Sequence, residues 1–148
     1  MKHAPFSGSK LALIHAGEVL VYLRDNVAGL PFAGMWDLPG GGREGDESPE
    51  DCALRELDEE FGLRLKAERL LWRRAYVSAG PTGLQAWFFA GDIHADEIAR
   101  IRFGSEGQHW RMMALTEFLS DPLAVPHLRA RLADCLAERG QAASVRAS

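Results

Sequence analysis

The chain has 148 residues, 47% hydrophobic and 26% charged, a composition expected of one soluble globular domain with room for a proper core. A formal net charge of −4 excludes a broad non-specific nucleic-acid surface, which needs a basic excess. No apolar run approaches the roughly 18 residues of a membrane span, and the first ten residues lack the apolar core of a signal peptide, so a cytoplasmic protein with no membrane partner is expected.

Along the chain, Leu11–Ile14 and Glu18–Leu23 are short β-rich runs around His15-Ala16-Gly17, the pattern of a hairpin. Asp25–Gly34 reads as a loop, and Met35–Leu38 as a brief apolar segment running into Pro39 and three glycines. Ser48 is a good N-cap, with Pro49 at the first helical position, Asp51 three residues on and Gly62 as a stop. Ala53, Leu57 and Phe61 share one stripe of that helix and are expected to face the core. Trp72–Ser78 and Leu84–Ile93 are two more strands joined by a Gly/Pro turn, and His109–Leu115 is the last. A second helix is expected from Pro126 to Glu138, with Leu128, Leu132, Cys135 and Leu136 inward. Gly140 should end it and leave 141–148 as a flexible tail to a single domain spanning 1–148. Strands interleaved with two amphipathic helices give an α/β class with a mixed, partly antiparallel sheet covered by helices. Cys52 and Cys135 form no CxxC pair and read as buried reduced thiols.

The first helix breaks a local rule. Glu56, Glu59 and Glu60 sit three and four residues apart, so they are neighbours on one face. Like charges there repel, and near a helix C-terminus the macrodipole adds to the cost. By charge alone this is a solvated face, but a hard divalent cation would reverse the sign of the interaction. Mg²⁺ takes oxygen ligands and is commonly held by one or two carboxylates plus substrate phosphates. Arg55 is adjacent and can orient a carboxylate. Upstream, Gly40, Gly41 and Gly42 supply backbone that can approach a phosphate or an ion, and Glu47 sits at the helix entrance.

Gly41, Glu47, Arg55, Glu56, Leu57, Glu59, Glu60, Gly62 and Leu63 together spell G-x5-E-x7-R-E-U-x-E-E-x-G-U without departure, U being a bulky aliphatic residue. This Gly41–Leu63 stretch resembles the signature of the Nudix hydrolases, closest to the MutT-like branch. The resemblance implies an α/β/α sandwich whose loop–helix–loop binds Mg²⁺ or Mn²⁺ and a diphosphate. It implies hydrolysis of a nucleoside diphosphate linked to another group, by attack of water on phosphorus. A (deoxy)nucleoside triphosphate would then give a monophosphate and pyrophosphate.

On this resemblance, metal ligands are expected among Glu56, Glu59, Glu60, Glu47 and the Gly40 or Gly41 carbonyl, with Arg55 holding Glu56 or Glu60. Arg24, at the end of the second strand, is a candidate for substrate phosphates. Gly104–Gln108 resembles a MutT loop whose Glu aids metal or water activation, making Glu106 or Glu56 the base. Ala124 stands where MutT has an Asn that reads an oxidised guanine, which puts 8-oxo-dGTP specificity in doubt. Trp36 and Phe6 are candidates to stack on a base, although packing roles suit both better; His109 and His127 are the histidines expected nearest a substrate. The partner expected is a small-molecule nucleotide, with no stable nucleic-acid partner, on a monomer or homodimer. ADP-ribose, a dinucleoside polyphosphate, a capped RNA 5′ end, or a non-catalytic nucleotide-binding module are the alternatives.

Overall fold

A computed structural model describes residues 4–147, with side chains described for 4–140. Among the described residues, seven strands form one mixed sheet. The hairpin is real, and its first arm is longer than expected: β1 (Phe6–His15) turns through Ala16 and Gly17 into β2 (Glu18–Leu23). Both turn residues have positive φ, 48° and 78°, so the twist of the turn matches that of the strands.

The two arms pair only at the turn, at Ile14↔Val19 and His15↔Glu18, and then diverge. The segment after the loop fills the fork between them. Its first part, β3 (Trp36–Asp37), pairs with β2, and its second, β4 (Gly40–Gly42), pairs with β1. Between them the Pro39 carbonyl accepts from Leu11 N–H at 2.9 Å. On its other edge β1 runs parallel to β6 (Gln85–Asp92), which pairs antiparallel with β5 (Trp72–Val77), while β7 (His109–Ala114) flanks β2.

Side chains alternate across this sheet with period two. Leu11, Leu13, Leu20, Tyr22 and Phe89 face α1 (Pro49–Phe61), whereas Ala12, Val19, Val21, Phe88 and Met113 face the opposite layer. That layer is built from α3 (Leu115–Ser120) and α4 (Pro126–Ala147). The result is the α/β/α sandwich.

Ser48 Oγ accepts from Asp51 N–H at 3.0 Å, and Gly62 closes α1 at φ 66°. Ala53, Leu57 and Phe61 are fully buried, as are both thiols. The sequence pattern did not reveal α3, the short helix α2 (Ala95–Ala99) or the 3-10 turn Ala67–Arg69, all under seven residues and too short for a helical period. Gly140 does not end the last helix, which continues to Ala147; the tail expected over 141–148 lies outside the described side chains. Among the described residues no helix is long and apolar enough to cross a membrane.

Arg69 and Glu97 lock the far end of the sheet with a bidentate pair at 2.7 and 2.8 Å, and Glu97 also accepts from His94 N–H. The Arg69 hydrogen bonds hold the Glu97 carboxyl at about 2, below its ordinary 4.5. A depressed carboxylate contributes stability that is present above the ordinary value and lost as pH falls through the folded one. Glu97→Gln should therefore cost about 1.5–3 kcal/mol at pH 7. In urea titrations the gap between variant and parent should narrow as pH falls from 4.5 towards about 2.

Candidate active site

Asp37 lies in the fork, 3% exposed, and every neighbour there donates to it. Lys10 on β1 reaches it at 3.0 Å, Arg24 at the end of β2 at 2.8 Å, Tyr22 Oη at 3.1 Å and Leu38 N–H at 2.7 Å. Burial alone would raise the Asp37 pKa, but Lys10 and then Arg24 outweigh it and hold the carboxyl below its ordinary range. Lys10 Nζ also donates to the Leu38 and Gly40 carbonyls, which fixes the path of the glycine strand. Arg24 donates from Nε to the Pro31 carbonyl and from Nη1 to Asp37.

The glycine strand sits directly over α1. Gly40 has φ 135°, and a β-carbon there would lie 2.1 Å from the Ser9 carbonyl oxygen. A β-carbon on Gly41 would lie 2.7 Å from the Glu56 carboxyl. The absence of side chains lets backbone lie against carboxylates. The Gly41 carbonyl accepts from Cys52 Sγ at 3.5 Å and the Gly40 carbonyl from Lys10 Nζ at 3.2 Å, each bond using one of two lone pairs.

Arg55 commits all five of its N–H donors. Two go to Glu47 (2.7 and 3.1 Å), one to Glu56 (3.0 Å), one to Glu59 (3.1 Å) and one to the Gly42 carbonyl (2.9 Å). Glu47 is therefore the partner that anchors Arg55, and Glu60 is not held by it. Glu60 instead accepts from Gly40 N–H at 2.9 Å and is 6% exposed. Burial pushes its pKa up to about 8, against the lowering effect of Lys10. Burial also raises Glu56 above its ordinary value, Arg55 notwithstanding.

Glu106 reaches this face through backbone. Arg102 N–H donates to the Phe61 carbonyl and Gly104 N–H to that of Glu60, so the loop caps the end of α1. Glu59, Glu60, Ser105 and Glu106 then line one cavity of about 170 Å³. Among the described residues no three acidic, histidine or cysteine side chains close into a complete metal cage. The donors are nevertheless hard oxygens, and Glu60 is a buried carboxyl with no cationic side chain bonded to it. That set suits a divalent ion that completes its shell with phosphate and water.

A second cavity, about 490 Å³, opens beside the same strand. Gly41 and Gly42 form one wall, and Pro31, Phe32, Trp87, Pro81, His127 and Arg131 lie around the rest. A family model described as NUDIX domain matches residues 11–134. The chain belongs to the Nudix hydrolase family. It is 36% identical over 129 residues to an RNA pyrophosphohydrolase of Acidiphilium cryptum, across 77% of this chain and 76% of that protein. It is 36% identical over 89 residues to an 8-oxo-dGTP diphosphatase of Haemophilus influenzae, across 60% of this chain and 61% of that one, less than two thirds of its length. Among solved structures, the NUDIX domain of Shewanella oneidensis NrtR complexed with ADP ribose matches with TM-score 0.66 at 25% identity, over 93% of this chain and 89% of that one. Enzymes of this family hydrolyse nucleotide derivatives and generally use divalent metals.

Trp36 and Phe6 of this Nudix chain take the packing roles that suit them better than stacking on a base. Trp36 does not line the large cavity; it packs edge-on against His109 at 5.5 Å and under the Arg111 guanidinium. Phe6 is buried beneath Arg43. Ala124 is fully buried in the core, bridging Trp36 through backbone, so the position aligned with the base-reading Asn does not face the cavity. Of the residues that do face it, His127 is one of the two histidines expected nearest a substrate, whereas Phe32, Trp87 and Arg131 carry no periodic signal of their own. The Lys10–Asp37 pair could have been suspected from two charges set inside otherwise apolar strands.

Adjacent glycines should respond differently to a methyl group. Gly40→Ala meets backbone and should lower the urea midpoint sharply, whereas Gly41→Ala should leave it nearly unchanged and displace only the Glu56 carboxylate. Loss of nucleotide turnover in Gly41→Ala with the midpoint intact checks that assignment.

Proposed function

We propose that this enzyme hydrolyses a (deoxy)nucleoside triphosphate to a monophosphate and pyrophosphate by attack of water on phosphorus. One observation carries the reading: Gly41 lies at once against the Glu56 carboxyl and in the wall of the apolar cavity. A nucleoside in that cavity would leave its phosphates running along the glycine strand toward the carboxylates. A volume of about 490 Å³ is within the usual range for a small-molecule site.

Phosphoryl transfer is mostly positioning and charge stabilisation. Glu56, Glu59 and Glu60 would hold Mg²⁺ or Mn²⁺, which when bound neutralises phosphate charge and lowers the pKa of water. Arg55 keeps Glu56 and Glu59 on one face while Glu47 anchors the guanidinium. Gly40 N–H fixes one oxygen of Glu60 and leaves the other free. Glu106, which lines the cavity with Glu59 and Glu60, or Glu56 would accept the proton of the attacking water.

Glu60→Gln should reduce turnover of nucleoside triphosphates about a hundredfold or more, as expected for a lost charge-stabilising group. Because burial already favours the protonated carboxyl, the same variant should keep its thermal stability at pH 7 when no metal is added. Chromatography of products with Mg²⁺, with Mn²⁺ and with a chelator reads the first result. Unchanged turnover in Glu60→Gln with Mg²⁺ present would overturn the mechanism. ADP-ribose and dinucleoside polyphosphates in the same panel test the substrate class.

A further inference from the structure

The large cavity has few polar groups free to recognise what enters it. Ser7 Oγ donates to the Gln85 carbonyl, Ser9 Oγ to that of Pro49, and Ser78 Oγ accepts from Gly80 N–H. The Lys10 ammonium is spent on Asp37 and two carbonyls. Among the described residues no acidic side chain lines the cavity. Besides the Ser78 hydroxyl and the Trp87 indole N–H, the titratable heads that remain are His127 and Arg131, four residues apart on one face of α4.

Arg131 is 7% exposed and forms no ion pair among the described residues. Its charge rests on the face of Tyr76, 4.7 Å away, and on one hydrogen bond to the Val77 carbonyl at 3.0 Å. A guanidinium has five N–H donors. One of them is spent on Val77, and Arg131 is among the residues that line the cavity. The walls beside them, Phe32, Trp87, Pro31 and Pro81, suit a flat ring better than a phosphate.

We propose that Arg131 is the specificity-determining residue for the base and reads the adjacent O6 and N7 acceptors of an unoxidised guanine. This rests on the cavity taking the nucleoside, as proposed above. An arginine fork matches that acceptor pair, whereas adenine offers N7 beside an amino donor. Guanine oxidised at C8 carries hydrogen on N7, which turns the second acceptor into a donor facing a donor.

Calorimetric titration of the full chain with dGMP, 7-deaza-dGMP, dAMP and 8-oxo-dGMP tests this without requiring turnover. The protein should bind dGMP about tenfold or more tightly than each of the others, the discrimination of one bidentate contact. Arg131→Lys keeps the charge and loses the fork, and should shrink the gap between dGMP and 7-deaza-dGMP to about threefold or less. Equal affinity of the parent protein for those two ligands would overturn the inference, and so would a gap that survives in a folded Arg131→Lys. A chain that hydrolyses no triphosphate yet prefers dGMP refutes the hydrolysis reading alone. One that hydrolyses triphosphates without regard to N7 refutes this inference alone.

Discussion

Everything that faces the carboxylates depends on one buried charge. A hairpin whose arms separate exposes the backbone edges of both strands, and an unpaired buried edge is costly. The Trp36–Gly42 segment fills the opening, and Asp37 ties it to both arms at once through Lys10 on one side and Tyr22 and Arg24 on the other. Such a network is weak evidence for net stability, since two apolar fillings could pack as well. Its contribution is direction. Lys10 holds the Leu38 and Gly40 carbonyls, and this turns Gly40 N–H onto Glu60. The knot in the fork and the carboxylate on α1 are thus two ends of one hydrogen-bonded path.

The acidic face is divided between two regimes. Arg55 neutralises the outer carboxylates, Glu47, Glu56 and Glu59, by saturating its donors. The inner one, Glu60, is left with a single amide and a raised pKa. Repulsion along the helix is relieved by Arg55 at the outer positions and by burial, which favours the protonated carboxyl, at the deepest one. Positive charge is deficient at the point nearest Glu106 and the glycine strand, and the substrate's own metal is the natural supplier there.

Local signals were legible wherever they were repeated or chemically strict. Ser48, Pro49 and Gly62 bound α1 within its observed limits because caps obey short-range rules. The Ala53, Leu57, Phe61 stripe identified its buried face, and the spacing of Gly41 to Leu63 pointed to the family without help from the fold. Features that need the third dimension left no local signal. The hydrogen bond from Arg24 to Asp37 and the backbone bridge between Ala124 and Trp36 join segments far apart in sequence, which no local pattern contains. Gly140 resembles a stop, but one glycine costs a helix only about 1 kcal/mol, and Gln141, Ala142 and Ala143 beyond it are all good helix formers. The cavity is assembled from β1, β4, the two long loops, β6 and α4, so no window of sequence contains it.

The central parallel pair has a consequence for how the molecule comes into being. Gly8 to Ile14 of β1 lie in register with Ala86 to Asp92 of β6, so the middle of the sheet joins residues nearly eighty positions apart. Loop closure over that span must precede the contacts that reward it, and parallel pairings of this kind slow folding. During synthesis the acidic helix emerges well before β6, when one layer of its eventual support does not yet exist. The segment that names the family is consequently not an independent folding unit: its carboxylates acquire their geometry only after the second half of the sheet has closed behind them.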